Sequence, residues 1–417
     1  MRTILYNAGP LVQFGHVPEP SNEYSILPEG KAIIVSDGLI ENIQDSQSVV
    51  EEYSLDPQSS SSSDLNAIDL EGCAVVPGLI DSHTHLLWDG DRSQEVRWRR
   101  EGLTYAEIAA KGGGIQHTVH ATRHSSDETL FKLGYTRLRE ALRTGTTHLE
   151  TKSGYGLTTE SELRLLSIAN QLNELNAVPS LDLTWMGAHD VPAECTMDQY
   201  VEQLLTEQLP AIAEQGLARS ADVFCEPGWF DVESSEDILK SARKSGLSLR
   251  MHIDEFVDGG GGDLATALKV DTADHAYHTP IAARKAMRDA GVNTGFLPGT
   301  PYAMGDEWPN MAEVVEEAIP FTLATDFNPN CRTLSLPFMA SLMVQRCHLH
   351  PLHALHAMTA GAAEITPHPT GNIHGRLVEG SVANINIVDG PRWEAVALRP
   401  TGTPFRATVL NEQFITH

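Results

Sequence analysis

The 417-residue chain reads as an α/β protein: a (β/α)8 TIM-like barrel with a small accessory β-sandwich domain built from both chain ends. Three observations predict this. Eight short apolar segments recur through the middle of the chain and alternate with amphipathic stretches of helical period. Ionisable residues gather just after those segments, and the two ends share a separate strand-like alternation. The barrel is placed at residues 73–369 and the small β domain at 1–72 plus 370–417.

Taken in order, MRTILYNAG and KAIIVSDGLIENI alternate apolar and polar residues between Gly, Asn and Asp turns, which predicts strands of a small sheet. The polar, low-complexity SLDPQSSSSSDLN is expected to be an exposed loop without chemistry. The barrel strands are then AVVPGLID, TTHLETK, LDLTWMGAH, ADVFCE, LSLRMHID, DTADHA, NTGFLP and FTLATDF. Between them lie helical stretches such as ETLFKLGYTRLREALRTG and TPIAARKAMRDAG, the latter closing on the Gly that a helix C-terminus favours. The tail GRLVEGSVANINIVDGPRWEAVAL returns to strand alternation and is expected beside the N-terminal strands.

A formal charge of −27 argues against nucleic acid or an anionic membrane as partner, since both would be repelled. Only 8 of the 29 basic residues are Lys, and an acidic, lysine-poor surface fits a salt-adapted (halophilic) cell interior. No basic region followed by a long apolar run opens the chain, so a cytoplasmic location is expected. The five cysteines are scattered and never in C-x-x-C spacing, which implies neither a disulfide framework nor a thiolate metal site.

His83 and His85 end the first barrel strand two residues apart, on one face of an extended chain. Chance alone yields about one such pair in a chain of this composition. The second pair, His348 and His350, has no strand before it and serves as a control. Other strand ends bring Glu150 and Lys152, His189, Glu226, His252, Asp274 and His275, and Asp326 to the same level. His83, His85, His252 and Asp326 form a nitrogen and oxygen donor set suited to one Zn²⁺ or iron ion with an open position, and hydrolysis of a carbon–nitrogen bond is the expected chemistry.

PGLIDSHTH, with the later strand-end His and Asp, resembles the amidohydrolase superfamily. The strings GLTYAEIAAKGGGIQHTVHATR, KSGYGL, MGAHDVP, HIDEF, ADH and LATDFNP are similar, in the same order, to a branch that opens an imidazolone ring bearing a propanoate. The resemblance spans roughly residues 73–390. It implies that His83, His85, His252 and Asp326 hold the metal, and that Glu255 and His275 activate water and move its proton. It further implies that Arg92, Tyr155, His189, Glu255 and Asn328 meet a small anionic substrate, and the phenol of Tyr105 in LTYAEI is a further candidate to help hold its carboxylate. A guanidinium beside a phenol suits a carboxylate. A homodimer is implied too.

After DFNP the family pattern continues with Gly and a small hydroxyl residue, where this chain has Asn330 and Cys331, both expected near the substrate. Lys152 invites comparison with two-metal relatives, but KSGYGL matches the single-metal pattern. The alternatives are another mononuclear amidohydrolase, such as a nucleobase or cyclic-amidine deaminase, which would not need the Arg92 and Tyr155 clamp, and a barrel that binds a metal or anion without turnover.

Overall fold

A computed structural model describes residues 2–15, 25–55, 61–62, 65–305 and 307–417. The strands before the barrel are β1 (Arg2–Ala8), β2 (Leu11–Val12), β3 (Ile26–Leu27), β4 (Lys31–Ser36), β5 (Leu39–Asp45), β6 (Ser61–Ser62), β7 (Leu65–Asp69) and β8 (Val75–Pro77). The barrel strands are β9 (Leu79–Asp81), β10 (Thr146–Lys152), β11 (Ser180–Ala188), β12 (Ser220–Cys225), β13 (Ser248–Ile253), β14 (Thr272–His275), β15 (Asn293–Phe296) and β16 (Phe321–Leu323). Three more follow: β17 (Ile385–Val388), β18 (Phe405–Leu410) and β19 (Gln413–Thr416).

Strands β9 to β16 pair in sequence order, all parallel, as one eight-stranded sheet. Its strands are buried along nearly their whole length, as a sheet covered on both faces requires. Just past β9 and β16 the sheet meets itself. Thr84 and Phe327 form a parallel bridge, His85 N–H donates to the Phe327 carbonyl at 2.9 Å, and Asp326 N–H donates to the His83 carbonyl at 3.1 Å. Lower down, the buried Asp81 carboxylate accepts from Thr325 N–H (2.9 Å) and Oγ1 (2.6 Å). Closure therefore runs through the residues next to the predicted ligands.

The helices between strands start and stop on local chemistry. Ser126 caps the helix Asp127–Arg143 by accepting from Thr129 N–H, and that helix packs Leu130, Leu138, Ala141 and Leu142 inward. Gly291, with φ of 82°, closes the helix Ile281–Ala290 in the left-handed conformation that glycine adopts without penalty.

Among the described residues, two smaller sheets accompany the barrel. One, in the order β5-β4-β1-β7-β6, comes wholly from the N-terminal region; the other, β19-β18-β17-β8-β2-β3, joins both ends of the chain. Leu5, Ile33 and Val35 of the first pack with Leu11, Val75, Ile385 and Val409 of the second in one apolar cluster. Two expectations change. AVVPGLID is two strands, not one: β8 pairs with β17 in the small sheet, whereas β9 pairs with β10 in the barrel. The break falls at Gly78, where a β-carbon would run into the Thr147 side chain and where the backbone N–H leaves to Asn384. Within the low-complexity stretch, Ser61–Ser62 form β6 against β7, so part of the expected loop is sheet edge; residues 56–60, 63 and 64 lie outside the described residues.

Candidate active site

At the carboxyl ends of the barrel strands the predicted residues converge. His83 Nε2 lies 3.6 Å, and His85 Nε2 3.8 Å, from Asp326 Oδ1. The His83 and His252 rings are 4.5 Å apart at their centroids, and His275 joins them, with its ring 5.2 Å from that of His252. Two sets of potential ligand atoms each lie within 4.8 Å: His83, His85 and Asp326, and His83, His252 and His275. All are buried. His275 and Asp326 also sit at positive φ (67° and 50°), a conformation that costs a non-glycine residue energy and concentrates at working sites.

Two of the rings, those of His83 and His252, are set by what their far nitrogen meets. His83 Nδ1 contacts Asp274 Oδ2 at 2.6 Å, and His252 Nδ1 contacts Asp222 Oδ1 at 3.0 Å. A carboxylate accepts, so Nδ1 carries the proton and the Nε2 lone pair faces the centre. His83 Nε2 and His252 Nε2 are buried and have no hydrogen-bond partner among the described residues. Burial, helped by the neighbouring Lys152 and the other imidazoles, holds His83 well below the usual histidine range, and burial does the same for His85 and His275. Neutral imidazoles with orphaned lone pairs beside a buried carboxylate are what a divalent cation needs, and the 3.6 and 3.8 Å separations suit donors about 2 Å from a shared ion. The residues fit a metal.

Beneath them Lys152 is fully buried between Glu150 Oε1 (2.8 Å) and Asp222 Oδ2 (3.0 Å). Burial alone would lower its pKa, but the two carboxylates outweigh it and hold the ammonium charged. A charged ammonium is no nucleophile for carboxylation, in keeping with the single-metal expectation. Burial raises Asp274 to about 6.

Glu255 stands at the cavity side of the cluster, its Oε2 3.5 Å from His275 Nε2. Its loop is held by Glu226, whose carboxylate accepts from the N–H groups of Glu255 (3.0 Å), Phe256 (3.1 Å) and Val257 (3.1 Å). The adjoining cavity is lined by Arg92, Tyr155, His189, Asn328, Asn330 and Cys331 among others. His189 Nδ1 lies 2.9 Å from the Gly154 carbonyl, so Nδ1 donates and Nε2 is an acceptor. Burial lowers its pKa to about 3.

Some predicted residues do other work. Arg92 engages Glu95 along its Nε and Nη2 edge, at 2.7 and 3.0 Å, so the cavity meets a guanidinium already anchored within the protein. Asn328 structures its own turn: Oδ1 accepts from Asn330 N–H (2.7 Å) and Cys331 N–H (3.2 Å), and Nδ2 donates to the Asp326 carbonyl (2.7 Å). Cys331 is buried with its thiol pKa pushed far up by burial, which suits a packing group rather than a nucleophile. The side chain of Tyr105 lies outside the described residues. The control pair separates: His348 closes one helix at φ of 55°, and His350 Nδ1 caps the next by accepting from Leu352 N–H at 3.1 Å.

The model of the amidohydrolase family matches residues 74–412. The imidazolonepropionase of Haloarcula marismortui is 37% identical over 363 residues, covering 87% of this chain and 84% of that protein. That of Solibacter usitatus is 36% identical over 423 residues, covering 99% and 98%. The chain belongs to the imidazolonepropionases of the amidohydrolase family. Among solved structures, a 5-methylcytosine deaminase from Klebsiella pneumoniae superimposes with a TM-score of 0.71 at 17% identity, covering 100% of this chain and 98% of that one, which shows a shared fold.

For an amidohydrolase of this branch, sequence reasoning left Asp222, Asp274, Glu226 and Glu95 without roles. Asp222, in the middle of an otherwise apolar strand, carried the clearest signal, because a buried carboxylate needs a partner.

Proposed function

We propose that this protein hydrolyses 4-imidazolone-5-propanoate to N-formimidoyl-L-glutamate. The observation that carries the reading is the meeting, on one cavity, of His85, His252 and Asp326, which cluster with the buried His83, and of Arg92, Tyr155 and His189. Relatives that share this activity's name along most of the chain support it. A Zn²⁺ or iron ion held by His83, His85, His252 and Asp326 would polarise the ring carbonyl and make water more acidic.

The chain's own residues do the rest. Glu255 takes a proton from the attacking water and returns it to the ring nitrogen as the carbonyl carbon–nitrogen bond breaks. The water oxygen ends in the new carboxylate, so one water is consumed and no other reactant is needed. His275, next to Glu255, stabilises the negative charge that develops on the carbonyl oxygen. His189 Nε2 accepts from a ring N–H, and Arg92 with Tyr155 orients the propanoate. Substrate orientation is what distinguishes this reading from a deaminase, which shares the donor set but has no carboxylate to hold.

The test is turnover of fresh 4-imidazolone-5-propanoate by metal-loaded protein, followed by loss of the imidazolone absorbance and by formation of formimidoylglutamate. Turnover that falls at least 100-fold in Arg92→Ala is expected; folded, metal-replete wild type without turnover sinks the reading. We also propose that residues 1–72 and 370–417, joined by β8, form one β-sandwich domain beside the barrel, supported by the apolar cluster between the two small sheets. A cytoplasmic homodimer adapted to high salt completes the proposal. Sedimentation, and activity measured with and without molar KCl, test these points.

A further inference from the structure

The departure at Asn330 has a partner far away in the chain. Arg99, on the helix Glu95–Arg100, donates from Nη1 to Asn330 Oδ1 at 3.3 Å across 231 residues of sequence. A guanidinium has donors only, so this contact forces the polarity of the Asn330 carboxamide: its oxygen faces Arg99 and its NH2 is the end that remains. Asn330 lines the cavity, and Nδ2 has no hydrogen-bond partner among the described residues. Asn328, the amide the resemblance points to, has its oxygen committed to two backbone N–H groups of its own turn.

The same cluster sets the local charge. Glu95, buried to 1% exposure, pairs with Arg92 at 2.7 Å and approaches Arg99 Nη1 at 4.0 Å, and its Oε1 also accepts from Gly114 N–H. The guanidiniums of Arg92 and Arg99 both lie beside the amide, and a guanidinium is the complement of a carboxylate. A neutral tail would receive the NH2 donor and lose the ionic attraction.

We infer that Asn330, held in one orientation by Arg99, is a specificity determinant that donates its amide N–H to the carboxylate of the substrate's side chain. Arg99 is a positioning residue acting through it. The inference rests on the reading of the cavity as a site for a small ring with an anionic tail. It selects carboxylate tails over carboxamide and uncharged tails.

The experiment uses metal-loaded full-length protein and two unreactive probes, 3-(imidazol-4-yl)propanoate and its carboxamide, whose dissociation constants are measured by calorimetry for each variant. Turnover of the imidazolone is measured beside them. Wild type is expected to bind the propanoate at least tenfold more tightly than the amide. In Asn330→Asp, which still accepts from Arg99 but no longer donates, that preference falls about tenfold or more, KM rises by a similar factor and kcat stays within threefold. Arg99→Met gives the same split, Arg99→Lys retains part of the preference, and Arg99→Met added to Asn330→Gly causes no further loss.

A preference unchanged in Asn330→Asp, or losses from Arg99→Met and Asn330→Gly that simply add, overturns the inference. Because Asn330→Asp also adds a negative charge, the neutral Asn330→Gly is measured beside it; a preference that survives in Asn330→Gly overturns the inference even where Arg99→Met fails to fold. Wild type that turns over the imidazolone without preferring either probe overturns the inference and leaves the reaction standing. Wild type that discriminates the probes through Asn330 without turning over the imidazolone does the reverse.

Discussion

Glu226→Gln tests how the loop of Glu255 is held in place. In the wild type one carboxylate receives three backbone N–H groups: Oε2 takes Glu255 at 3.0 Å, and Oε1 takes Phe256 and Val257 at 3.1 Å each. Hydrogen bonds to a charged group contribute about 1.5–3 kcal/mol apiece, against about 1 kcal/mol for neutral ones. A glutamine keeps one acceptor. Its best orientation leaves the oxygen on the Phe256 and Val257 pair, so the NH2 confronts the N–H of Glu255. One charged bond is lost and two are weakened, roughly 3 kcal/mol in total before relaxation. Since 1.4 kcal/mol is tenfold, a kcat lower by about 10- to 100-fold is expected once the loop relaxes part of that away. The assay is steady-state turnover with metal content matched between proteins, together with hydrogen exchange of the amides at 255–257. A kcat within twofold of wild type, with those amides as protected as before, would falsify the assignment of Glu226 to positioning Glu255.

Three further outcomes follow from the geometry. Asp274→Asn weakens the 2.6 Å contact that orients His83, so zinc affinity measured by competition with a chelator should fall about 10- to 100-fold, and unchanged affinity counts against the orienting role. Lys152→Met leaves Glu150 and Asp222 buried without their cation and should cost about 3–5 kcal/mol in denaturant unfolding of the metal-free protein; a loss under 1 kcal/mol would show that the ammonium is dispensable. His374, whose ring packs against His148 and His368, donates from Nε2 to the Thr366 carbonyl, and burial together with His368 lowers its pKa to about 4. The unfolded chain takes up that proton below about 6.5 and the folded chain only below about 4. Stability is therefore complete above 6.5 and is lost as the pH falls toward 4, by about 2 kcal/mol at pH 5 from this group. His374→Gln should shrink the difference between unfolding free energies at pH 7 and pH 5 by about that amount; an undiminished difference places the titration elsewhere.

Much of this molecule was legible in one dimension because its signals are local. Strand and helix periods depend on neighbours two to four residues apart, so eight parallel strands and their order could be read directly. The two-residue spacing of His83 and His85 and the strand-end places of His252, His275 and Asp326 follow from the same register, and the structure gathers all five. The boundary at Gly78 was not legible. Its apolar neighbours on both sides read as one strand, and only the change of pairing partner, from β17 for β8 to β10 for β9, makes the break.

What the sequence determined by itself was the kind of chemistry: a barrel whose strand ends carry imidazoles and carboxylates in a number and period that a packed interior does not explain. What tertiary structure alone decided was the partner of each group. The proton on His83 is set by Asp274, 191 residues away, the tilt of His252 by Asp222, the loop of Glu255 by Glu226, and the polarity of Asn330 by Arg99. Directional hydrogen bonds and desolvation act over a few ångströms of space, and folding brings within that range residues whose separation along the chain carries no trace of it.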